Sequence, residues 1–248
     1  DYISLHMYFA NRGNHTANYL ALSCELDDYI GSVAGVIQFI KAKKRSNKNV
    51  YISFDEWNVW YHSREQDRAV LEGRQGWPHA PALLEDVYNF EDVLQVGLIL
   101  NTFIRRSDVV KIACIAQLVN VIAPIMTEPG GDAWRQTVYY PYYFASRFGR
   151  GTALDLRIDS PTYDTDKHKR VPYADIAGVR NEDGAVTLFA VNRHASEAID
   201  VEVSLTGFGN LRVIDHQVVK HADLEAVNTA KDKMNVAPTA GSGAVIAN

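Results

Sequence analysis

The sequence has little cysteine, no excess of basic charge and no long hydrophobic run. Its two cysteines, Cys24 and Cys114, each lie in an apolar stretch, which excludes a disulfide framework and favours free, buried thiols in a reducing compartment. With 25 Lys and Arg against 30 Asp and Glu, the formal net charge is -5, so no nucleic acid partner is predicted. No stretch approaches the roughly 18 apolar residues of a membrane-spanning helix, so no membrane partner is predicted either.

Common enzyme motifs are also missing from the sequence. It contains no P-loop, no Gly-x-Gly-x-x-Gly after a strand, no Gly-x-Ser-x-Gly and no His-Glu-x-x-His. The eight histidines are scattered, so neither a metal site nor a cofactor is predicted. What the chain does have is length, 248 residues with 47% hydrophobic, which is enough for a substantial buried core.

Hydrophobic patterning divides the chain near residue 150. Before that point, short apolar runs alternate with helical periodicity, which predicts a parallel sheet with connecting helices. The predicted strands cover residues 2–5, 50–54 and 110–116, and the predicted helices cover residues 26–45, 81–104 and 134–148.

After residue 150 the pattern changes to short alternating runs separated by turns. This texture predicts an antiparallel β-sandwich, with a hairpin turn at residues 181–184. The predicted strands cover residues 154–158, 174–179, 186–191, 199–205 and 211–218. Residues 237–248 are small and weakly patterned, so the sandwich is predicted to be incomplete.

Polar side chains follow each predicted parallel strand. His6 and Tyr8 follow the first strand, Glu56 the second and Gln117 the third, and parallel strands end at a common edge. A carboxylate between aromatic rings there fits a glycosidase nucleophile, because sugars present apolar faces to tryptophan. Strand alternation is expected to turn the neighbouring Asp55 away. The alternative is a structural glutamate paired with an arginine beside two core tryptophans, and the pattern leaves both open.

Four stretches carry a resemblance to a known family. Residues 3–8 (ISLHMY), 52–61 (ISFDEWNVWY), 116–125 (AQLVNVIAPI) and 160–164 (SPTYD) occur in order along the chain. Together they resemble glycoside hydrolase family 51, the α-L-arabinofuranosidases. The resemblance implies an α/β plus all-β fold, the C-terminal part of a (β/α)₈ TIM barrel followed by a jelly-roll-like β-sandwich. Residues 1–150 would hold barrel strands six to eight, and residues 151–248 the sandwich.

The same resemblance implies roles for individual residues. Glu56 matches the catalytic nucleophile, and Tyr8 matches a tyrosine that orients it by a hydrogen bond. His6, Trp60 and Gln117 match residues that bind the arabinofuranose. The implied activity is retaining and exo-acting, on terminal arabinofuranosyl residues of arabino-oligosaccharides or arabinoxylan fragments. No cofactor is implied.

One catalytic group of the family has no counterpart in the sequence. In the family the acid/base glutamate belongs to an Asn-Glu pair after the fourth barrel strand, which by the resemblance would lie before residue 1. The only Asn-Glu pair in the sequence, Asn181–Glu182, falls in the predicted hairpin and is not expected to fill this role. The chain alone is therefore expected to be inactive and to need an upstream barrel segment. The alternative is a non-catalytic carbohydrate-binding or assembly module of the same fold. A cytoplasmic location and a homo-oligomer are also expected.

Overall fold

The computed structural model describes residues 1–74, 76 and 78–245, and all of its helices and parallel strands lie before residue 150. The helices are α1 (Thr16–Leu20), α2 (Leu22–Lys43), α3 (Arg64–Leu71), α4 (Phe90–Arg105) and α5 (Tyr139–Phe148). The strands are β1 (Tyr2–Phe9), β2 (Tyr51–Val59), β3 (Val110–Ile115), β4 (Ile125–Thr127), β5 (Ala133–Arg135), β6 (Gly151–Leu154), β7 (Thr162–Tyr163), β8 (Val171–Pro172), β9 (Ala174–Asn181), β10 (Val186–Asn192), β11 (Gln217–Val219) and β12 (Pro238–Ala240).

The first part of the chain forms a parallel sheet in the order β1-β2-β3, which confirms the predicted series of parallel strands. Its central strand buries Ile52, Phe54 and Trp57 completely. Phe103 of α4 packs on this face, with its ring centroid 5.1 Å from Phe54 and 5.3 Å from Trp57. Removal of these large apolar side chains from water stabilises the packing of α4 on the sheet.

Strands β1 and β2 run further than the sequence predicts. β1 continues to Phe9 and β2 to Val59, so His6, Tyr8 and Glu56 lie within paired strands instead of after them. The prediction ended these two strands just before His6 and Asp55. Pairing continues because buried side chains, such as Phe9 and Val59, still alternate with the polar ones on the opposite face.

Helix α4 begins at Phe90, so the predicted start at residue 81 is wrong. A capping box sets this start, because Asn89 Oδ1 accepts from the Asp92 amide and Asp92 Oδ2 accepts from the Asn89 amide, both at 3.0 Å. Helix α2 begins four residues before its predicted start and ends in Lys43, close to the predicted end. The short helix α3 was not predicted.

The helix predicted over residues 134–148 is shorter in the structure. Ala133–Arg135 is strand β5, which pairs with β4, and helix α5 begins only at Tyr139. The chain between them is held by the buried Gln136 side chain. Its Nε2 donates to Asp86 O at 2.9 Å and to Ala123 O at 2.8 Å, and its Oε1 accepts from the Tyr88 amide at 3.0 Å.

The second part of the chain contains an antiparallel sheet in the order β10-β9-β6 and a smaller one of β11 and β12. The predicted hairpin between β9 and β10 is confirmed, and Gly184 supplies its positive φ of 86°. The strand predicted at 154–158 is Gly151–Leu154 instead. Of the predicted β-sandwich the structure shows these two antiparallel sheets and a third, of β7 and β8.

Two strands predicted in this part are wrong. Residues 199–205 form no strand, and of residues 211–218 only the last two fall in β11. Val201 and Val203 do alternate with polar residues, but both are exposed, so no layer of the described residues covers their apolar face. Pro238–Ala240 forms β12, whereas residues 246–248 of the weakly patterned end lie outside the described residues.

A buried ionic network joins the two parts of the chain. Asp175 of β9 accepts hydrogen bonds from Arg193 at 2.9 Å, from Arg105 of α4 at 2.8 and 3.1 Å, and from Asn101 of α4 at 2.8 Å. Asp175 and Arg193 are 5% and 4% exposed. Burial opposes the charge of Asp175, but the two guanidinium groups outweigh it and hold the pKa of this carboxyl below its usual value.

The cysteines are free, as the sequence predicts, but only one is shielded. Cys24 is partly buried, whereas Cys114 is exposed, so the predicted burial of Cys114 is wrong. The residue lies on β3, an outer strand of the sheet, between the partly buried Ala113 and Ile115. Within the described residues, no helix is both long and apolar enough to cross a membrane.

Candidate active site

A hydrogen bond between neighbouring strands fixes the central carboxylate of the site. The Tyr8 hydroxyl of β1 donates to Glu56 Oε1 of β2 at 2.7 Å. Partial burial, together with the hydrogen bond and the negative charge of Glu56, raises the pKa of Tyr8 well above its usual value. Tyr8 therefore keeps its proton at neutral pH and remains a donor to the carboxylate, which is the contact that the sequence led us to expect.

A β-bulge in β2 brings a second carboxylate to the same place. Ser4 pairs with Ser53 and His6 pairs with Glu56, so β2 has one more residue than β1 between these pairs. The extra residue is Asp55, and it lies on the exposed side together with Glu56. The prediction that alternation turns Asp55 away is wrong, because a bulge shifts the phase of alternation by one residue.

His6 lies between the two carboxylates. Its Nδ1 is 3.5 Å from Glu56 Oε2, and its Nε2 is 3.7 Å from Asp55 Oδ1. The Ser4 hydroxyl donates to Asp55 Oδ1 at 2.8 Å and also lies 3.2 Å from His6 Nε2. The hydrogen bond from Ser4 is the main reason that the pKa of Asp55 is below its ordinary value. Both oxygens of Glu56 thus face a polar group of β1.

Trp60 forms an aromatic wall next to this cluster. It follows β2, and its amide donates to Phe9 O at 2.9 Å, which continues the pairing with β1. Its ring meets Tyr8 edge to face with centroids 5.4 Å apart, and the Arg64 guanidinium lies 5.1 Å from its centroid on the side of α3. A groove of about 400 Å³ extends from Trp60 along α3. Trp60 is the one residue of the cluster that lines this groove, and an indole ring suits contact with the apolar face of a sugar.

The fifth residue that the sequence singled out, Gln117, follows β3 and is exposed. Within the described residues, no hydrogen bond joins the Gln117 side chain to Glu56. Gln117 lies near the site because it follows β3, which pairs with the strand that carries Glu56. Its amide donates to Ile122 O at 3.0 Å. His6 and Tyr8 both reach Glu56, Trp60 contacts Tyr8, and Gln117 lies on the adjacent loop.

Two positions that support the site were missed from the sequence. Asn58 of β2 is completely buried, and its side chain reaches the loop that carries Gln117. Asp86 is also completely buried, and its carboxylate accepts the amides of Tyr61 and Ser63, at 2.8 Å each, just after Trp60. A buried polar residue within an apolar stretch is the signal that could have found Asn58. Asp86 carries no such signal, because its partners lie far from it in sequence.

The described residues contain no group of three or more His, Cys, Asp or Glu side chains that could hold a metal ion. The pair Asn181–Glu182 lies at the β9–β10 turn, where the Asn181 side chain donates to Phe148 O and Arg150 O at 2.9 and 3.1 Å. This places Glu182 in the antiparallel part of the chain. The cluster therefore offers two carboxylates, Asp55 and Glu56, each of which accepts a hydrogen bond from a hydroxyl of β1, beside the aromatic wall of Trp60.

Known proteins are similar to this chain over most of its length. Residues 55–248 match the family described as the α-L-arabinofuranosidase C-terminal domain. The chain is 50% identical over 235 residues to an intracellular exo-α-(1→5)-L-arabinofuranosidase of Halalkalibacterium halodurans, covering 94% of this chain and 46% of the relative. It is also 50% identical over 249 residues to the enzyme named intracellular exo-α-(1→5)-L-arabinofuranosidase 1 of Bacillus subtilis, covering 100% and 49%. The chain thus spans about half the length of these relatives.

Solved structures give the same result. A family 51 α-L-arabinofuranosidase from Bifidobacterium longum superposes with a TM-score of 0.88 at 34% identity, over 97% of this chain and 49% of that one. An α-L-arabinofuranosidase from Thermotoga maritima superposes with a TM-score of 0.74 at 24% identity, over 97% and 48%, which supports the fold alone. The chain belongs to glycoside hydrolase family 51, the α-L-arabinofuranosidases, and carries their C-terminal domain.

Proposed function

We propose that the chain supplies the nucleophile half of a retaining, exo-acting α-L-arabinofuranosidase. The observation that carries this proposal is the 2.7 Å hydrogen bond from Tyr8 to Glu56, between the paired strands β1 and β2 of the parallel sheet. The names of the relatives, exo-α-(1→5)-L-arabinofuranosidases, support the substrate class, and the word intracellular in those names supports a cytoplasmic location. The substrates are terminal arabinofuranosyl residues of arabino-oligosaccharides or arabinoxylan fragments.

In this mechanism Glu56 attacks the anomeric carbon, and the glycosidic bond to the leaving oxygen breaks. A general acid protonates that oxygen, and a covalent arabinosyl ester of Glu56 forms. The group that acted as the acid then acts as a base on water, which hydrolyses the ester with net retention of configuration. The carboxyl group of this acid/base residue must lie roughly 5 to 5.5 Å from that of Glu56. Tyr8 orients the attacking carboxylate, while His6, Trp60 and Gln117 hold the sugar.

The acid/base glutamate comes from an upstream segment that completes the barrel. Within the described residues, β1 and β3 are the outer strands of the parallel sheet, and each pairs on one side only. An apolar groove of about 260 Å³, lined by Ile3, Val36 and Ile40, lies between β1 and α2. Val36 is 60% exposed. An added strand and helix would cover these surfaces, which supports the proposal. The homo-oligomer stays a prediction.

The test uses the enzyme with its upstream segment and a dinitrophenyl α-L-arabinofuranoside, whose leaving group departs without protonation. Rapid mixing should give a burst of dinitrophenolate equal to the enzyme concentration, followed by turnover of unactivated arabino-oligosaccharides. Glu56→Ala should remove both. The matched control Glu182→Gln, at an exposed position of the β9–β10 turn, should keep both. Binding of arabinose without a burst that depends on Glu56 would contradict the proposal and favour a carbohydrate-binding module.

A further inference from the structure

Asn58 is a polar side chain in the most deeply buried part of β2. It has no exposed surface, and its neighbours Trp57 and Val59 have none either. Its Nδ2 donates to Ala116 O at 2.7 Å and to Ile122 O at 2.5 Å, and its Oδ1 accepts from the Val59 amide at 2.8 Å. Both amide hydrogens are therefore used, as a buried polar group requires.

The two carbonyl groups that Asn58 binds are the two ends of the loop that carries Gln117. Ile122 O also accepts from the Gln117 amide at 3.0 Å, and the Ala116 amide donates to Trp57 O at 3.0 Å. The loop of residues 116–122 is thus closed at its base and attached to β2. The attachment joins side chain to backbone and needs the two N–H groups of an amide, which neither a hydroxyl nor a carboxylate supplies.

The conformation of this loop requires outside support. Asn120 and Ile122 have positive φ angles of 61° and 38°. The left-handed region is unfavourable for a β-branched residue such as Ile122, so such a residue persists there only when its surroundings hold it. Asn58 supplies one of these contacts directly, through Ile122 O. A second comes from the Ile122 amide, which donates to Leu84 O at 2.6 Å.

We infer that Asn58 is a positioning residue that sets the place of Gln117 relative to Glu56. Asn58 lies two residues after Glu56 on β2, past the bulge, so the two side chains point to the same face of the strand. One strand therefore carries the proposed nucleophile and the amide that anchors the proposed sugar-binding loop. The inference rests on the proposed function, because it gives Gln117 a role in holding the sugar.

The test is a double-mutant cycle in the enzyme with its upstream segment. Asn58→Ala and Gln117→Ala should each lower kcat/KM for the dinitrophenyl arabinofuranoside by about 10- to 100-fold, the effect of a displaced binding group. The double variant should lose no more activity than the more impaired single variant, because both changes remove the same contact. Asn58→Ala should lower the melting temperature equally in both backgrounds. Asn58→Ser, which keeps one donor, should recover part of the activity.

The matched control is Asn228, another buried asparagine that binds backbone groups. Its Nδ2 donates to Arg135 O at 3.1 Å and to Val236 O at 2.9 Å, and its Oδ1 accepts from the Val236 amide at 2.8 Å. Asn228→Ala should lower the melting temperature but leave kcat/KM unchanged. A general loss of stability is thereby separated from a displaced loop.

Three results would overturn the inference while the proposed function stands. They are unchanged activity in Asn58→Ala, losses that multiply in the double variant, and failure of both Asn58→Ala and Asn58→Ser to fold, which would make Asn58 a framework residue. A wild-type enzyme without a burst, or a burst that survives Glu56→Ala, would overturn the proposed function itself and this inference with it.

Discussion

Replacement of Asp175 by alanine is expected to lower the free energy of unfolding by about 3 to 5 kcal/mol, the usual effect of removing one partner from a buried ion pair. Most of this loss of stability comes from the buried charge of Arg193. Its guanidinium keeps hydrogen bonds to Pro172 O at 2.7 Å and Ser23 Oγ at 2.9 Å, but its charge stays buried without a counter-charge. Arg105 is partly exposed and can turn toward water. Asp175→Asn, which keeps the acceptor oxygen, should lose about 1.5 to 3 kcal/mol.

The assay is urea unfolding followed by tryptophan fluorescence, at several pH values. Because the folded-state pKa of Asp175 is lowered, its contribution is present above about pH 4, the ordinary carboxyl range, and is lost as the pH falls through the lowered value. Asp175→Asn should remove that acid dependence. Asp132→Asn, which breaks an exposed ion pair with Lys233, is the control and should change little. A loss below about 1 kcal/mol in Asp175→Ala would refute the reasoning, since an exposed pair contributes that much.

Three further outcomes are expected in the enzyme with its upstream segment, the first two of them in the burst assay with the dinitrophenyl arabinofuranoside. Tyr8→Phe should slow the burst by about 10- to 100-fold with little change in KM, because the nucleophile loses its orienting donor, and an unchanged burst rate would contradict this. Asp55→Asn should slow it by no more than about fivefold, because solvent screens these half-exposed charges, and a larger loss in burst kinetics would show a direct role. Burial opposes the charge of His62, but the hydrogen bond and charge of Asp92 raise its pKa above the usual value. The stability that His62 contributes is therefore fully present below about pH 6.5 and is lost as the pH rises through the raised pKa. His62→Gln should therefore reduce the dependence of the melting temperature on pH between about pH 6 and pH 9.

Elements with a strong local signal could be predicted from the sequence. The parallel strands follow from β-branched and apolar runs, and the β9–β10 hairpin follows from the turn residues that end in Gly184. The hydrogen bond between Tyr8 and Glu56 could also be expected, since neighbouring parallel strands bring their polar residues to one edge. The strands and the hairpin depend on residues within a few positions of each other, and the contact between Tyr8 and Glu56, 48 residues apart, follows from the pairing of two such strands.

The features that were missed depend on partners distant in sequence. The start of helix α5 depends on Gln136, which binds backbone groups of two other segments. The exposed alternation of Val201 and Val203 looks like a strand, but whether it pairs depends on a facing layer. The anchoring of the Gln117 loop by Asn58 joins residues 58 apart, between Asn58 Nδ2 and Ala116 O. Local periodicity carries none of this information.

The bulge in β2 places a carboxylate in the site without changing which side chains of β2 are buried in the core. Ile52 and Phe54 face the helices before the bulge, and Trp57 faces them after it. Two residues separate Phe54 from Trp57, whereas one separates Ile52 from Phe54. A strand without Asp55 would alternate regularly and would bury the same three side chains. The hydrophobic core therefore does not require this insertion. The extra residue lengthens the strand only where the carboxylates face outward, so selection for folding alone would have no reason to keep it.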